Sequence, residues 1–243
     1  MNMNDGLSPA LLVAHGQPSD PFPAARALED LAMQVAAFLP RWSVKAATLA
    51  EPLAIARGVA GRECGLVYPL FMARGWFTKV QIPNRLFESG ASRWKVLEPF
   101  GCDPKVQDLC VALVREYGAD SVIVAAHGSS KSAEPSEVAR HVAARIRAET
   151  GITRVEVGFI DQAPQLSTLT GFGPGAVCLP FFAAAGGHVE DDLPRALAEA
   201  GFRGRILPPV GADGRVPGLI ASALLLEVPV CSGTCRWAGG QNP

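Results

Sequence analysis

Residues 11–16 read Leu11-Leu12-Val13-Ala14-His15-Gly16, and residues 122–128 read Val122-Ile123-Val124-Ala125-Ala126-His127-Gly128. Each run is apolar and ends in His-Gly, so a strand-like segment is followed twice by the same pair of residues. Such a repeat has to be tested first, because it fixes how many similar units the chain contains.

Further matches follow in the same order. Residues 68–75, Tyr-Pro-Leu-Phe-Met-Ala-Arg-Gly, match residues 179–186, Leu-Pro-Phe-Phe-Ala-Ala-Ala-Gly, and residues 97–103 match residues 207–213. Pro83 then falls opposite Pro194. The repeat predicts two homologous units with a boundary near Gly118. The predicted organisation is an N-terminal lobe (1–118), a C-terminal lobe (119–230) and a tail (231–243).

Within each unit short apolar runs alternate with amphipathic stretches. The helical spacing of apolar residues is clear in Ala24 to Phe38 and in Ser136 to Glu149. This alternation predicts an α/β fold with parallel sheets that are covered on both faces. The predicted strands are Leu11 to Ala14, Lys45 to Leu49, Gly65 to Tyr68, Trp94 to Leu97, Ser121 to Ala125, Arg154 to Phe159, Ala176 to Leu179 and Arg205 to Leu207.

In parallel sheets ligands bind beyond the carboxyl ends of the strands. Both His-Gly pairs and both Pro-x-Phe loops come directly after predicted strands. We therefore expect the active site in one cleft formed by these loops from two lobes that face each other.

The composition argues against several classes of partner. Apolar residues make up 49% of the chain and charged residues 19%, and the formal net charge is -1. There is no basic surplus for nucleic acid or anionic lipid. The longest apolar stretch, Leu219 to Val230, falls short of the roughly 20 residues of a membrane span. No targeting segment precedes the first strand, so we expect a soluble, cytoplasmic protein.

The loop from Pro180 to Pro194 has the composition of a metal site. Gly186 and Gly187 allow close approach of a flat ligand, and His188 precedes Glu190, Asp191 and Asp192. Imidazole and carboxylate suit divalent cobalt, iron, nickel or zinc. The three acids also fit the first turn of a helix, where the helix dipole favours negatively charged side chains.

A second metal ligand is predicted in the same half. His127 follows a strand, and Asp161, after the strand Arg154 to Phe159, is a candidate third ligand. Ser129 and Ser130 either give hydroxyl and N–H groups to ligand carboxylates or cap a helix. His141 lies beside an apolar helix face and is interpreted as structural or solvated.

With these residues in place, the chain resembles the CbiX-type sirohydrochlorin chelatases of the class II chelatase family. The resemblance runs from about Leu11 to Ala223 and is sharpest in Gly186-Gly187-His188-Val189-Glu190-Asp191-Asp192. It implies two flavodoxin-like lobes with the macrocycle in their cleft. It also implies ATP-independent insertion of cobalt for cobalamin or iron for sirohaem, with no permanently bound cofactor and with the divalent metal (Co²⁺, Fe²⁺ or Ni²⁺) as substrate. His127 and His188 match the family's two metal-handling histidines, and the expected proton acceptor is a histidine or a nearby acid, with Glu190 as the candidate acid.

The first lobe departs from the pattern of the family. It keeps His15, whereas Phe77 stands opposite His188 and Lys79 opposite Glu190. This lobe is therefore predicted to have lost its metal site. Arg74, Lys79 and Arg85 either pair with the acetate and propionate groups of sirohydrochlorin or are solvated surface charges.

Two other functions stay open. The tail pair Cys231 and Cys235 fits a metal or tetrapyrrole carrier that does not catalyse insertion, although two thiols fall short of a closed four-ligand site. A regulatory member with an inactive second lobe is the third reading, and the retention of His127 and His188 argues against it.

Overall fold

The computed structural model describes residues 6–186, 188–228 and 235–237, with His188 described by its backbone alone. The chain forms two four-stranded parallel sheets with flanking helices, in the orders β2-β1-β3-β4 and β6-β5-β7-β8. The predicted α/β class and the two similar parallel sheets are confirmed.

The two halves share one order of elements, except that a single 3-10 turn stands in the second half where the first half has a helix between its second and third strands. The first half has β1 (Ser8–Ala14), α1 (Pro21–Ala36), β2 (Trp42–Thr48), α2 (Ala54–Val59), β3 (Leu66–Pro69), a π-helical segment (Phe77–Gln81), α3 (Ile82–Glu88), β4 (Lys95–Val96) and α4 (Pro104–Tyr117). The second half has β5 (Ser121–Ala126), α5 (Glu134–Thr150), β6 (Arg154–Phe159), β7 (Ala176–Pro180), a π-helical segment (His188–Asp192), α6 (Leu193–Glu199), β8 (Arg205–Ile206) and α7 (Val216–Leu226). Single 3-10 turns lie at Phe100–Cys102, Leu166–Thr168 and Val210–Ala212.

The central strands are apolar along their whole length because helices cover both faces of each sheet. All six residues of β5 are buried, as are all five of β7. On one face of the second sheet, Ile123 and Cys178 pack with Leu193 and Leu197 of α6. The first sheet packs in the same way, with Leu11 and Val67 against Ile82 and Leu86 of α3, so each core fixes the helix that continues directly from a π-helical segment.

Two compact units emerge from the packing, and their borders differ from the repeat boundary expected near Gly118. Among the described residues, unit 1 contains 6–103 and 214–228, and unit 2 contains 104–213 and 235–237. The difference comes from α4 and α7. Helix α4 packs against α5 and β7, whereas α7 packs against α1 and β3. Each unit is therefore completed by the last helix of the other sequence repeat.

The packing of α4 explains its membership of unit 2. Its apolar face is buried along the helix, including Val106, Cys110 and Val114. Its polar side is tied to α5, since Arg145 donates to Asp108 at 2.7 Å. Within the described part of the chain, none of the helices has both the length and the apolar character needed to cross a bilayer.

Candidate functional site

The carboxyl ends of three neighbouring strands bring the predicted site residues of unit 2 together. Ala126 at the end of β5 pairs with Phe159 at the end of β6, and Ala125 pairs with Pro180 of β7. The Asp161 N–H donates to the His127 carbonyl at 2.9 Å, which continues the ladder past the strands. The His-Gly pair and Asp161 therefore lie side by side at one edge of the sheet, next to the loop that leads to His188.

The His127 imidazole is half-exposed and is oriented through its Nδ1 atom. This nitrogen lies 3.1 Å from the Gly128 carbonyl oxygen and 3.5 Å from Asp161 Oδ2. A carbonyl only accepts, so the contact favours the tautomer with the proton on Nδ1 and the lone pair on Nε2. A carboxylate beside the outer nitrogen of a histidine is the arrangement that raises its basicity and fixes it towards a metal ion.

The backbone turn after His127 depends on a residue that the sequence analysis missed, Gln162. Gly128 has φ +77°, and a Cβ atom there would lie 2.6 Å from Gln162 Cγ. Gln162 Oε1 accepts the Ser129 N–H at 2.7 Å, and Ser129 Oγ accepts the Lys131 N–H at 3.1 Å. The polar groups of Ser129 hold the loop, whereas Ser130 is exposed. Nothing in a single sequence singled out Gln162, because amides are common in loops.

The loop after β7 turns directly into a helix. The Gly186 carbonyl accepts the N–H groups of both Val189 and Glu190, at 2.7 and 2.9 Å. The following π-helical segment, a rare geometry that is frequent at functional sites, places Glu190 and Asp191 in solvent. Asp192, in contrast, pairs with Arg195.

Gly187 and the His188 side chain lie outside the described residues. Among the side chains that the structure does describe, no three histidine, cysteine, aspartate or glutamate residues meet as a preformed metal site. The direct coordination predicted for His127, His188 and Asp161 therefore stays a prediction.

Unit 1 shows what stands at the matching positions. The Ala50 N–H donates to the His15 carbonyl at 2.9 Å, as Asp161 does to His127, so Ala50 takes the place of Asp161. The π-helical segment of unit 1 begins at Phe77, as that of unit 2 begins at His188. The His15 and Phe77 rings are in contact, with centroids 4.6 Å apart and planes at 90°. Unit 1 thus retains the geometry of the loops and has different side chains on them.

The three basic residues predicted to meet substrate carboxylates have different surroundings. Arg74 is largely buried, at 8% exposure. Arg85 donates to the Leu49 carbonyl at 2.9 Å and so braces the loop after β2. Lys79 is exposed on the π-helical segment. Of the three, Lys79 is the one whose placement fits a contact with an external ligand.

The tail of the chain touches α5. Cys235 is buried at 6% exposure, and the Trp237 indole stacks on the His141 ring with centroids 4.3 Å apart. Burial lowers the pKa of His141, and the nearby Arg145 lowers it further. Cys231, the other thiol of the predicted pair, lies outside the described residues.

Comparisons with known proteins place the chain in a family. A sequence profile described as CbiX matches residues 121–225, and no curated protein sequence matches the chain. A solved structure is described as CbiX, the terminal enzyme for biosynthesis of sirohaem in denitrifying bacteria. It superposes with a TM-score of 0.83 at 43% identity and covers 90% of this chain and 99% of that one.

Two more distant structures share the fold. SirB from Bacillus subtilis with Fe³⁺ has a TM-score of 0.72 at 16% identity, covering 91% of this chain and 95% of that one. The sirohydrochlorin chelatase SirB from Bacillus subtilis subspecies spizizenii, in complex with cobalt, has a TM-score of 0.68 at 15% identity, covering 90% and 94%. With 43% identity over nearly the whole of the solved CbiX chain, this chain belongs to the CbiX family.

Proposed function

We propose that this chain inserts a divalent metal ion into sirohydrochlorin, with iron for sirohaem or cobalt for cobalamin as the ion. The solved CbiX relative at 43% identity is described as the terminal enzyme for biosynthesis of sirohaem in denitrifying bacteria. The observation that carries the proposal is the His127 ring, which is fixed through Nδ1 by Gly128 and Asp161 beside the loop that leads to His188.

The contacts of His127 support a role in holding the incoming ion. With its proton on Nδ1, the ring presents the Nε2 lone pair, which is the atom that binds iron or cobalt. Asp161 approaches the opposite side of the ring, at Nδ1. We assign Asp161 to orienting His127 rather than to the direct metal contact expected from sequence, because an outer carboxylate of this kind makes the imidazole a better ligand.

The position of His188 is inferred from unit 1. The residues that match His127 and His188, namely His15 and Phe77, have their rings in contact. The same loop geometry in unit 2 would bring the two imidazoles close enough to share one ion, since metal–nitrogen bonds are about 2.0–2.1 Å long.

Insertion also requires the loss of two protons from the pyrrole nitrogens. Glu190 is exposed two residues after His188 and can accept a proton without being desolvated itself. A positioned base of this kind contributes to such steps by taking the proton as the metal–nitrogen bond forms. Glu190 accepts the protons while the imidazoles release the ion to the ring.

The test replaces His127 and His188 separately by alanine and follows the metallation of sirohydrochlorin by its absorption spectrum, with the spontaneous rate subtracted. Each variant should lose at least about 100-fold in rate, as expected when a ligand or a positioned base is removed. His141→Ala is the matched control, since His141 belongs to the same unit and packs on Trp237 instead. Full activity in both site variants would overturn the proposal. A yield of no more than one metallated ring per chain would favour the alternative function, a carrier that does not catalyse insertion.

A further inference from the structure

A cluster of aromatic rings stands in unit 1 at the place that corresponds to the metal loop. Phe77 packs against Trp76 with centroids 5.2 Å apart, against Phe71 at 5.7 Å and against His15 at 4.6 Å. Phe77 is therefore clamped between neighbours on three sides. Trp76 is the outermost ring and remains 61% exposed.

The exposed indole of Trp76 has an energetic cost. Tryptophan carries one of the largest apolar side-chain surfaces, and leaving it in water forfeits the free energy that its burial would release. Its neighbour Phe77 contacts it at an interplanar angle of 68°, so one part of the indole is supported by another ring. A braced and exposed ring is suited to stacking on another flat molecule.

The repeat shows that this cluster replaces a metal-binding loop. Trp76 and Phe77 occupy the positions of Gly187 and His188 in the other unit, one residue before and at the start of the π-helical segment. Where the sequence of unit 2 has a small residue and a histidine, that of unit 1 has two large rings. The change removes an affinity for cations and introduces two flat apolar surfaces.

The two segments also differ in charge. Residues 71–82 contain two basic residues, Arg74 and Lys79, and no acid. The matching residues 182–193 contain three acids and neither lysine nor arginine. Lys79, three residues after Trp76, is exposed on the π-helical segment. The segment of unit 1 therefore fits a flat, negatively charged ligand, whereas that of unit 2 fits a cation.

We propose that Trp76, supported by Phe77, is the stacking surface for the tetrapyrrole ring, with Lys79 beside the ring's carboxylates. This inference rests on the proposed function, because a planar polycarboxylate is the substrate class that it names. The macrocycle offers a π-face for the indole and acetate and propionate groups for the ammonium. Unit 1 has thus exchanged its metal site for a ring-binding surface, and Trp76 is a substrate-binding residue.

The test titrates sirohydrochlorin with the metal-free full-length protein in the presence of a chelator and follows the change in the absorption spectrum of the macrocycle. Trp76→Ala should raise the Kd about tenfold, whereas Trp76→Phe, which keeps a ring, should retain most of the affinity. Phe87→Ala is the matched control, since Phe87 is 74% exposed at the end of α3 in the same unit. Because Trp76 and Phe87 are both exposed, circular dichroism should show native folding in all three variants.

The kinetic readout separates ring binding from insertion. Trp76→Ala should raise KM about tenfold with kcat changed less than about twofold, because stacking is equal in the ground state and the transition state. Lys79→Ala should weaken binding less, and its effect should shrink at high salt. An unchanged Kd and KM in Trp76→Ala, with insertion intact, would overturn this inference and leave the proposed function standing. A Kd for sirohydrochlorin that depends on Trp76, in a protein that inserts no metal, would support the ring surface and overturn the proposed function.

Discussion

His15 and Phe77 lie edge to face in unit 1, with ring centroids 4.6 Å apart and planes at 90°. One follows β1, and the other begins the π-helical segment after β3. In unit 1 the loops after β1 and β3 therefore bring these two positions together. The two positions correspond to His127 and His188, the residues that we propose hold the metal ion in unit 2.

This contact predicts that a metal site can be restored in unit 1. The double substitution Phe77→His and Ala50→Asp would supply a second imidazole and the carboxylate that Asp161 provides in unit 2. We expect one additional Co²⁺ ion per chain, bound more weakly than the first, as measured by isothermal titration calorimetry. Phe87→His, on an exposed position of α3, should leave the stoichiometry unchanged. A stoichiometry that does not rise in the double variant would show that the loops of unit 1 hold the two rings in an unsuitable direction.

The contact between Asp161 and His127 gives a second prediction. Asp161→Asn removes the negative charge beside Nδ1, 3.5 Å away, and keeps the shape of the side chain. Loss of an outer-shell carboxylate lowers metal affinity about 10–100-fold, so the Kd for Co²⁺ should rise by that factor. The thermal stability should be unchanged, because the Asp161 side chain is 52% exposed.

Asp108→Asn is the control for Asp161→Asn. Asp108 is also an exposed acid of unit 2, and it lies in α4, where it pairs with Arg145 of α5. Its replacement should leave the Kd for Co²⁺ as it is. An equal loss of affinity in both variants would point to the overall charge of the unit rather than to the orientation of His127.

The fold was predictable because its causes are local. Strands buried on both faces are largely apolar, and the two buried strands β5 and β7 begin at the predicted residues, Ser121 and Ala176. The exchange of α4 and α7 between the units was not predictable, because the apolar face of a helix does not indicate which sheet it will pack against. The site was predictable to the same extent. The place of His127 could be predicted because it follows a strand, whereas the contacts of Gln162 and Asp161 with the His127 loop depend on how the loop after β6 packs against it.

Two matching glycines lead to a third prediction, on the support of the site loops. A Cβ atom on Gly211 would lie 1.8 Å from the Ala183 carbonyl oxygen, and one on Gly101 would lie 2.2 Å from that of Met72. These contacts are with backbone, which cannot turn aside as a side chain can. Each Gly→Ala change should therefore destabilise the protein by at least ~1–3 kcal/mol. Calorimetry should show a fall in Tm of about 2–4 °C per kcal/mol in a chain of this size.

The two glycine variants should differ in activity. Gly211→Ala displaces the loop that leads to His188, so kcat for insertion should fall, whereas Gly101→Ala displaces the loop that carries Trp76, so KM should rise. Gly214→Ala is the control, because no atom lies within 4 Å of its added Cβ. Identical kinetic effects of Gly101→Ala and Gly211→Ala would contradict the proposal that unit 1 binds the ring and unit 2 inserts the metal.

The stack of His141 on Trp237 yields a prediction about pH. Burial, and then Arg145, lower the pKa of His141 in the folded protein, so the folded state binds the proton less readily than the unfolded chain does. Stability must then fall as pH drops below about 6.5, the value of an unperturbed histidine, because the unfolded state gains the proton first. His141→Phe keeps a flat ring against Trp237 and removes the titration. The Tm of the variant should therefore decrease less than that of the wild type between pH 7.5 and pH 5.5. Since the other three histidines are common to both proteins, the difference between the two curves isolates His141. Parallel curves would mean that Trp237 leaves the ring before the proton arrives.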